Sequence, residues 1–231
     1  MLESVFLEVD HSPMEMLVGV PEGAGPFPGL LLSHHRYGLS PFTYATAERL
    51  VQEGFAVVAP NHYHHTPDAP DDTVAKDGMT DEHCINDMLE AVIYLRNLPK
   101  VNPAATGILG HCMGGRGTLM GAANVPGIRC GIVYYGGGVM TSRHNAPSVW
   151  SQLGAIGCPI AGFFGGDDKN PSPEDVRMIS QTFTQLGVEH TFKTYPGVGH
   201  GFMDPGTAKY DEAATKDAWS LSLAFLRTHL A

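Results

Sequence analysis

From residue 29 onward the chain alternates short, unbroken apolar runs with longer amphipathic ones. Residues 29–33 precede 43–52, 55–59 precede 82–97, 106–109 precede 112–123, and 128–134 and 160–164 precede 173–186. Residues 190–195 then lead to 213–229. A run that is apolar throughout is buried on both faces, and a helix-length return between such runs brings the chain back to start the next strand alongside the last. The pattern therefore predicts a mostly parallel sheet covered by helices on both faces. Before this rhythm begins, 5–9 and 14–20 are separated by the turn signal His11-Ser12-Pro13, which predicts an antiparallel opening hairpin. Ser40-Pro41 and Ser172-Pro173 read as helix starts, and Gly54 and Gly187 as helix ends. Two long, turn-rich connections, 61–80 and 136–157, are too short for a large lid, so one α/β domain over residues 1–231 is expected.

Charge and composition narrow the partners. With 14 Lys and Arg against 24 Asp and Glu, the formal net charge of −10 argues against nucleic acid and anionic membrane surfaces. The opening MLESVFLEVD alternates acidic and apolar residues and reads as a strand rather than a signal peptide. No apolar run approaches the roughly 20 residues that span a bilayer. Cys84, Cys112, Cys130 and Cys158 form no C-x-x-C pair and no zinc-ligand spacing, which fits reduced thiols in a cytoplasm. The expected partner is a small molecule, with the protein as a monomer or homodimer.

Gly107-Ile108-Leu109-Gly110-His111-Cys112-Met113-Gly114-Gly115 has the form of a buried strand, a sharp turn and a glycine-rich helix start. It is the G-x-S-x-G nucleophile elbow with Cys112 at the serine position. Such glycines also occur for packing alone, and a lone cysteine can be a small buried residue. Two later loops decide between these readings. Residues 160–164 run into Gly165-Gly166-Asp167-Asp168, and 190–195 run into Pro196-Gly197-Val198-Gly199-His200-Gly201-Phe202. An acid and a histidine follow the nucleophile in that order on the α/β-hydrolase fold, each on a loop after a later strand. Cys84, Cys130 and Cys158, in or beside probable elements, read as structural.

With those segments, and with Phe55-Ala56-Val57-Val58-Ala59-Pro60 and Tyr134-Tyr135-Gly136, the chain resembles the dienelactone hydrolase family over essentially its whole length. The resemblance implies an α/β-hydrolase with a Cys112, His200, Asp168 triad, leaving Asp167 as a turn residue. It also implies an oxyanion site made by the backbone N–H groups of Met113 and Arg36, and no cofactor. The implied reaction is opening of an activated ester or lactone, of enol-lactone or aryl-ester type, through an acyl-cysteine. A general carboxylesterase or thioesterase, a non-catalytic binding protein on the same fold and a redox-sensing thiol are the alternatives.

The family pattern breaks in three places. Where family enzymes acting on dienelactone carry a glutamate, His34-His35-Arg36-Tyr37-Gly38 has His35. The arginines that clamp a substrate carboxylate are replaced by Lys76 in one region and Asp204 in the other. An acid at the mouth disfavours an anionic lactone. His35, Tyr37, His111 and Tyr135 are the expected substrate-binding residues, with Tyr63 and Trp150 as further aromatic candidates. His34, His35, His62, His64 and His65 are expected to form a polar rim. Imidazoles are good metal ligands, but this spacing is not diagnostic and no metal is expected.

Overall fold

The computed structural model describes residues 2–231. Its eight strands are β1 (Leu2–Val9), β2 (Ser12–Gly19), β3 (Phe27–Ser33), β4 (Ala56–Pro60), β5 (Val101–His111), β6 (Ile128–Tyr134), β7 (Ile160–Gly165) and β8 (His190–Tyr195). They form one sheet in the order β1-β2-β4-β3-β5-β6-β7-β8. The β1–β2 and β2–β4 pairs are antiparallel and the rest parallel. The expected mostly parallel sheet is therefore present, with the opening hairpin as its antiparallel edge.

Six helices cover it: α1 (Pro41–Gln52), α2 (Asp72–Gly78), α3 (Asp81–Arg96), α4 (Met113–Asn124), α5 (Pro173–Leu186) and α6 (Glu212–His229). Alternation along the strands sorts the core into two layers. Leu31, Val58, Ile108 and Val133 pack with Met88, Leu119 and Phe183 of α3, α4 and α5. Their neighbours Leu30, Val57, Leu109 and Ile132 pack with Leu50 and Trp219 of α1 and α6. Central strands serve both layers and so have no polar face. At the outer edge, β8 reads HTFKTY, half exposed.

Both proline-led helix starts are capped as expected. The Ser40 hydroxyl accepts from Thr43 N, and Ser172 forms a reciprocal capping box with Asp175. Gly187 closes α5 in the left-handed conformation, φ 72°. The long connections are more ordered than their composition suggests. Residues 61–80 contain α2, because Asp71 accepts from Thr73 N and Val74 N and so starts a helix inside a polar stretch. Residues 136–157 contain a 3-10 helix, Val149–Ala155, anchored by buried Val149 and Leu153. Strand β5 begins five residues before the apolar run because Phe27 and Pro28 pair with Val101 and Asn102 across a register shift. Among the described residues, no helix is long and apolar enough to cross a membrane.

Candidate active site

Strand order places the site. From the adjacent strands β3 and β5 the chain leaves toward opposite sides of the sheet, which opens a crevice at their carboxyl ends. There Ser33 pairs with Gly110, and on the other side His111 pairs with Tyr134. Cys112 follows in the turn into α4 with φ 55° and ψ −114°, outside the regions that ordinary L-residues favour. Such a backbone costs about 1–3 kcal/mol and persists only where its surroundings enforce it. Enforcement comes from close backbone packing. A Cβ at Gly110 would lie 2.2 Å from Gly114 O, and one at Gly114 would lie 2.0 Å from Ser33 O. Cys112 N also donates to Tyr134 O at 2.9 Å.

The loops after β7 and β8 meet above this turn. His200 Nε2 lies 3.0 Å from Cys112 Sγ, and its Nδ1–H donates to Asp168 Oδ2 at 2.8 Å. The other oxygen, Asp168 Oδ1, accepts from Asn170 N at 2.9 Å. Asp168 is buried, whereas Asp167 is exposed and its backbone N–H joins the loop to Val198 O. Tyr135 is held at φ 41° and sets its ring edge-on to His200, 5.1 Å between centroids. Burial opposes charge on His200, but hydrogen bonds to Asp168 and then to Cys112 outweigh it and raise its pKa to about 9. Burial is the leading cause at the other three thiols, lifting Cys130 to about 12 against the nearby charge of Arg129, lifting Cys158 to about 11, and raising Cys84.

Met113 is the first residue of α4, where a backbone N–H has no partner within its own helix. The Arg36 loop is steadied by Tyr63, whose hydroxyl donates to Arg36 O at 2.7 Å and lies 3.7 Å from Met113 Sδ. Sequence reasoning offered Tyr63 only as an aromatic wall; the contact joins residues 27 apart and left no sequence signal. His35 is buried, 2.6 Å from Ser40 Oγ, with its pKa lowered by burial. Tyr37 is half exposed. His111 and Tyr135 are buried, with His111 stacked on Tyr134 at 4.5 Å. A cavity of about 330 Å³ opens between α1, α6 and the loop after His200. Phe42, His111, Asp204, Tyr210 and Trp219 are on its wall, so His111 and Asp204 connect it to the Cys112 and His200 loops. Lys76 is paired with Asp77. Trp150 packs at the edge of the α4–α5 core layer.

The expected histidine rim is not a rim. His34, His62 and His64 are buried, and Asp87 of α3, itself fully buried, gathers His62 and His64. Asp87 Oδ2 accepts from His62 Nδ1 at 2.9 Å and Oδ1 from His64 Nε2 at 2.8 Å. His34 Nε2 accepts from His62 N at 3.0 Å. A carboxylate inside the protein requires donors, and these rings supply them. Beside this group, the Arg116 guanidinium of α4 makes a buried two-bond pair with Asp81 of α3, at 2.6 and 2.7 Å.

A cysteine on a strained strand-to-helix turn, with aspartate and histidine loops following in that order along a mostly parallel sheet, defines the α/β-hydrolase class. The family described as "Dienelactone hydrolase family" matches residues 14–230. A Synechocystis protein named "Putative carboxymethylenebutenolidase" is 27% identical over 224 residues, covering 91% of this chain and 89% of the relative. A Bradyrhizobium protein named "Probable 2-oxo-3-(5-oxofuran-2-ylidene)propanoate lactonase" is 29% identical, covering 91% and 87%. The solved structure titled "Putative Dienelactone Hydrolase from Klebsiella pneumoniae subsp. pneumoniae MGH 78578" superposes with a TM-score of 0.91 at 22% identity, covering 98% of both chains. This chain belongs to the dienelactone hydrolase family. It is accordingly an ester or lactone hydrolase acting on a small-molecule substrate.

Proposed function

We propose that residues 1–231 act as one domain that opens activated esters or lactones through an acyl-enzyme on Cys112. The observation that carries this reading is the line Cys112 Sγ, His200, Asp168, with separations of 3.0 and 2.8 Å on a strained turn. An imidazolium that close to sulfur stabilises negative charge there. The thiolate attacks the carbonyl carbon, and its π electrons move to oxygen. The N–H groups of Met113 and Arg36 hold that oxyanion. As it collapses, the carbon–oxygen bond breaks and His200 passes its proton to the leaving oxygen. Water, losing a proton to His200, then attacks the thioester. The second oxyanion expels the thiolate and releases the acid. Asp168 holds the ring in one tautomer throughout and stabilises its cationic form.

Sulfur and the site's charge restrict the substrate. A thiolate leaves more readily than an ordinary alkoxide, so the first oxyanion returns to substrate unless the oxygen leaving group is itself stabilised. Aryl esters, enol lactones and thioesters meet that condition. Asp204 on the cavity wall disfavours an anionic substrate, which sets this site apart from one that binds a dienelactone carboxylate.

The test mixes purified protein with a neutral aryl ester near neutral pH and follows product release alongside intact mass. The expected result is a burst with one acyl adduct on Cys112, both absent in Cys112→Ala. Equal turnover by the two proteins would overturn the assignment. Turnover of alkyl and aryl esters at similar rates would favour a general carboxylesterase.

A further inference from the structure

We infer that the histidine cluster on α3 and the loop after β4 is a binding site for a zinc-like divalent cation, held by His64, His65 and Asp87. The ligand atoms these residues offer all lie within 4.8 Å of one another. Ligands about 2.0–2.1 Å from a tetrahedral zinc stand about 3.3 Å apart. His65 Nε2 is 3.4 Å from Asp87 Oδ1 yet makes no hydrogen bond to it or to any other group described. A buried imidazole nitrogen at ligand separation from a carboxylate, and not hydrogen-bonded to it, is available to share a cation with that oxygen. His64 Nε2, at 2.8 Å from the same oxygen, presents a proton to it. A cation replaces this proton, which passes by way of solvent to the unpartnered Nδ1 of the same ring, so that His64 stays neutral while the oxygen and both rings close on the metal.

The surroundings match what a metal site requires. His62 donates to the second oxygen, Asp87 Oδ2, and so orients the carboxylate from outside the ligand set. His83 stands one helical turn before Asp87 on the same face of α3, stacked on His65 at 4.0 Å between centroids. Its buried Nδ1 also has no partner among the described residues, but His83 stands outside the group of three ligand residues, which leaves the fourth position to a water molecule. His65 and His83 are not fully enclosed, so the position is open to entry from solvent. Two imidazoles with one carboxylate suit zinc and its neighbours rather than magnesium or calcium, which take oxygen ligands. The role is structural. The ion would fix the 61–66 loop, whose Tyr63 holds the carbonyl of Arg36. This inference stands apart from the acyl-enzyme reading.

A hydrogen-bonded hub around Asp87 with no ion is the competing account, and direct binding separates the two. Chelator-stripped protein is titrated with Zn²⁺ against a chromophoric chelator, and with Co²⁺ while the visible spectrum is recorded. One equivalent is expected to bind, with tetrahedral cobalt bands and no sulfur-to-cobalt charge transfer. His65→Asn should weaken binding by about a hundredfold or more. This substitution leaves both hydrogen bonds to Asp87 in place, and circular dichroism checks its fold. Cys112→Ser should bind like the parent. Substoichiometric binding, a thiolate band, or unchanged affinity in folded His65→Asn would each overturn the site. If His65→Asn does not fold, the cobalt spectrum and stoichiometry of the parent decide alone.

Discussion

Two places in this molecule set imidazoles against a buried aspartate, and they are built to opposite ends. At Asp168 one ring takes one oxygen, a backbone N–H takes the other, and the ring's far nitrogen faces sulfur with 28% of the side chain open to solvent. At Asp87 three rings crowd one carboxylate in the interior. The first arrangement leaves a nitrogen free to move a proton at a reacting atom. In the second, His62 and His64 each give one nitrogen to the carboxylate, and His65 makes no hydrogen bond to it. The chemistry of a histidine here is set by what its second nitrogen faces, not by the presence of an acid.

Replacing each acid in turn should separate the two centres most sharply. Asp168→Asn is expected to lower kcat by about 10⁴-fold by disturbing the tautomer of His200, with little loss of stability. Cys112→Ala should go further, about 10⁵-fold or more, and abolish the adduct. Asp87→Asn is expected to act on folding instead, costing about 1–3 kcal/mol in a denaturant titration because a buried imidazole donor loses its acceptor. An Asp87→Asn enzyme as inactive as Asp168→Asn while fully folded would break the distinction. Arg116→Met should be worse for stability, about 3–5 kcal/mol, since it leaves the Asp81 carboxylate buried and unpaired.

That contrast was only half legible in the sequence. The elbow was readable because glycine is demanded wherever backbones touch, as at Gly110 and Gly114, and such demands appear as residue identity. The aspartate loop was readable because it directly follows the apolar run 160–164, and the histidine loop because glycines bracket His200 just after a strand-length segment. Helix α5 was placed to the residue, since its serine-proline start and glycine end are local chemistry. Asp87 was not readable. An aspartate in mid-helix looks like a solvated face, and nothing local says that His62 and His64 fold back onto it. The histidine run was therefore assigned to the rim, when the carboxylate had drawn it inside. Tyr63 was missed as a brace for Arg36 because that contact exists only once β3 and β4 lie side by side.

Proton binding offers a second, smaller contrast. The pKa of His200 is raised from 6.5 to about 9 by Asp168 and Cys112 against the opposing effect of burial. A group whose folded pKa lies above its unfolded value adds stability that is complete below pH 6.5 and lost as pH rises through about 9. Thermal melts of the parent should therefore decline across that window, and those of His200→Gln should decline less. Equal slopes in the two proteins would mean that the ring is not held cationic. His34 titrates far below this range, its pKa lowered to about 3 by burial and by His62, so the buried cluster should add no such slope through that ring.

The smallest expected effect concerns charge at the open centre. Asp204 lies on the wall of the cavity beside the His200 loop, and a carboxylate there faces any anionic group on the substrate across water. Repulsion between such partly exposed charges is on the order of 1 kcal/mol, or about fivefold in kcat/KM. Asp204→Asn should raise kcat/KM by about that factor for an aryl ester bearing a carboxylate and leave a neutral ester of the same shape unchanged. Added salt should erase the difference in the parent, because exposed charges are screened over roughly 10 Å at 0.1 M. Equal gains for both esters would show that the substitution altered shape rather than charge. Persistence of the effect in high salt would place Asp204 against the substrate itself, shielded from solvent, and draw the open centre closer in character to the enclosed one.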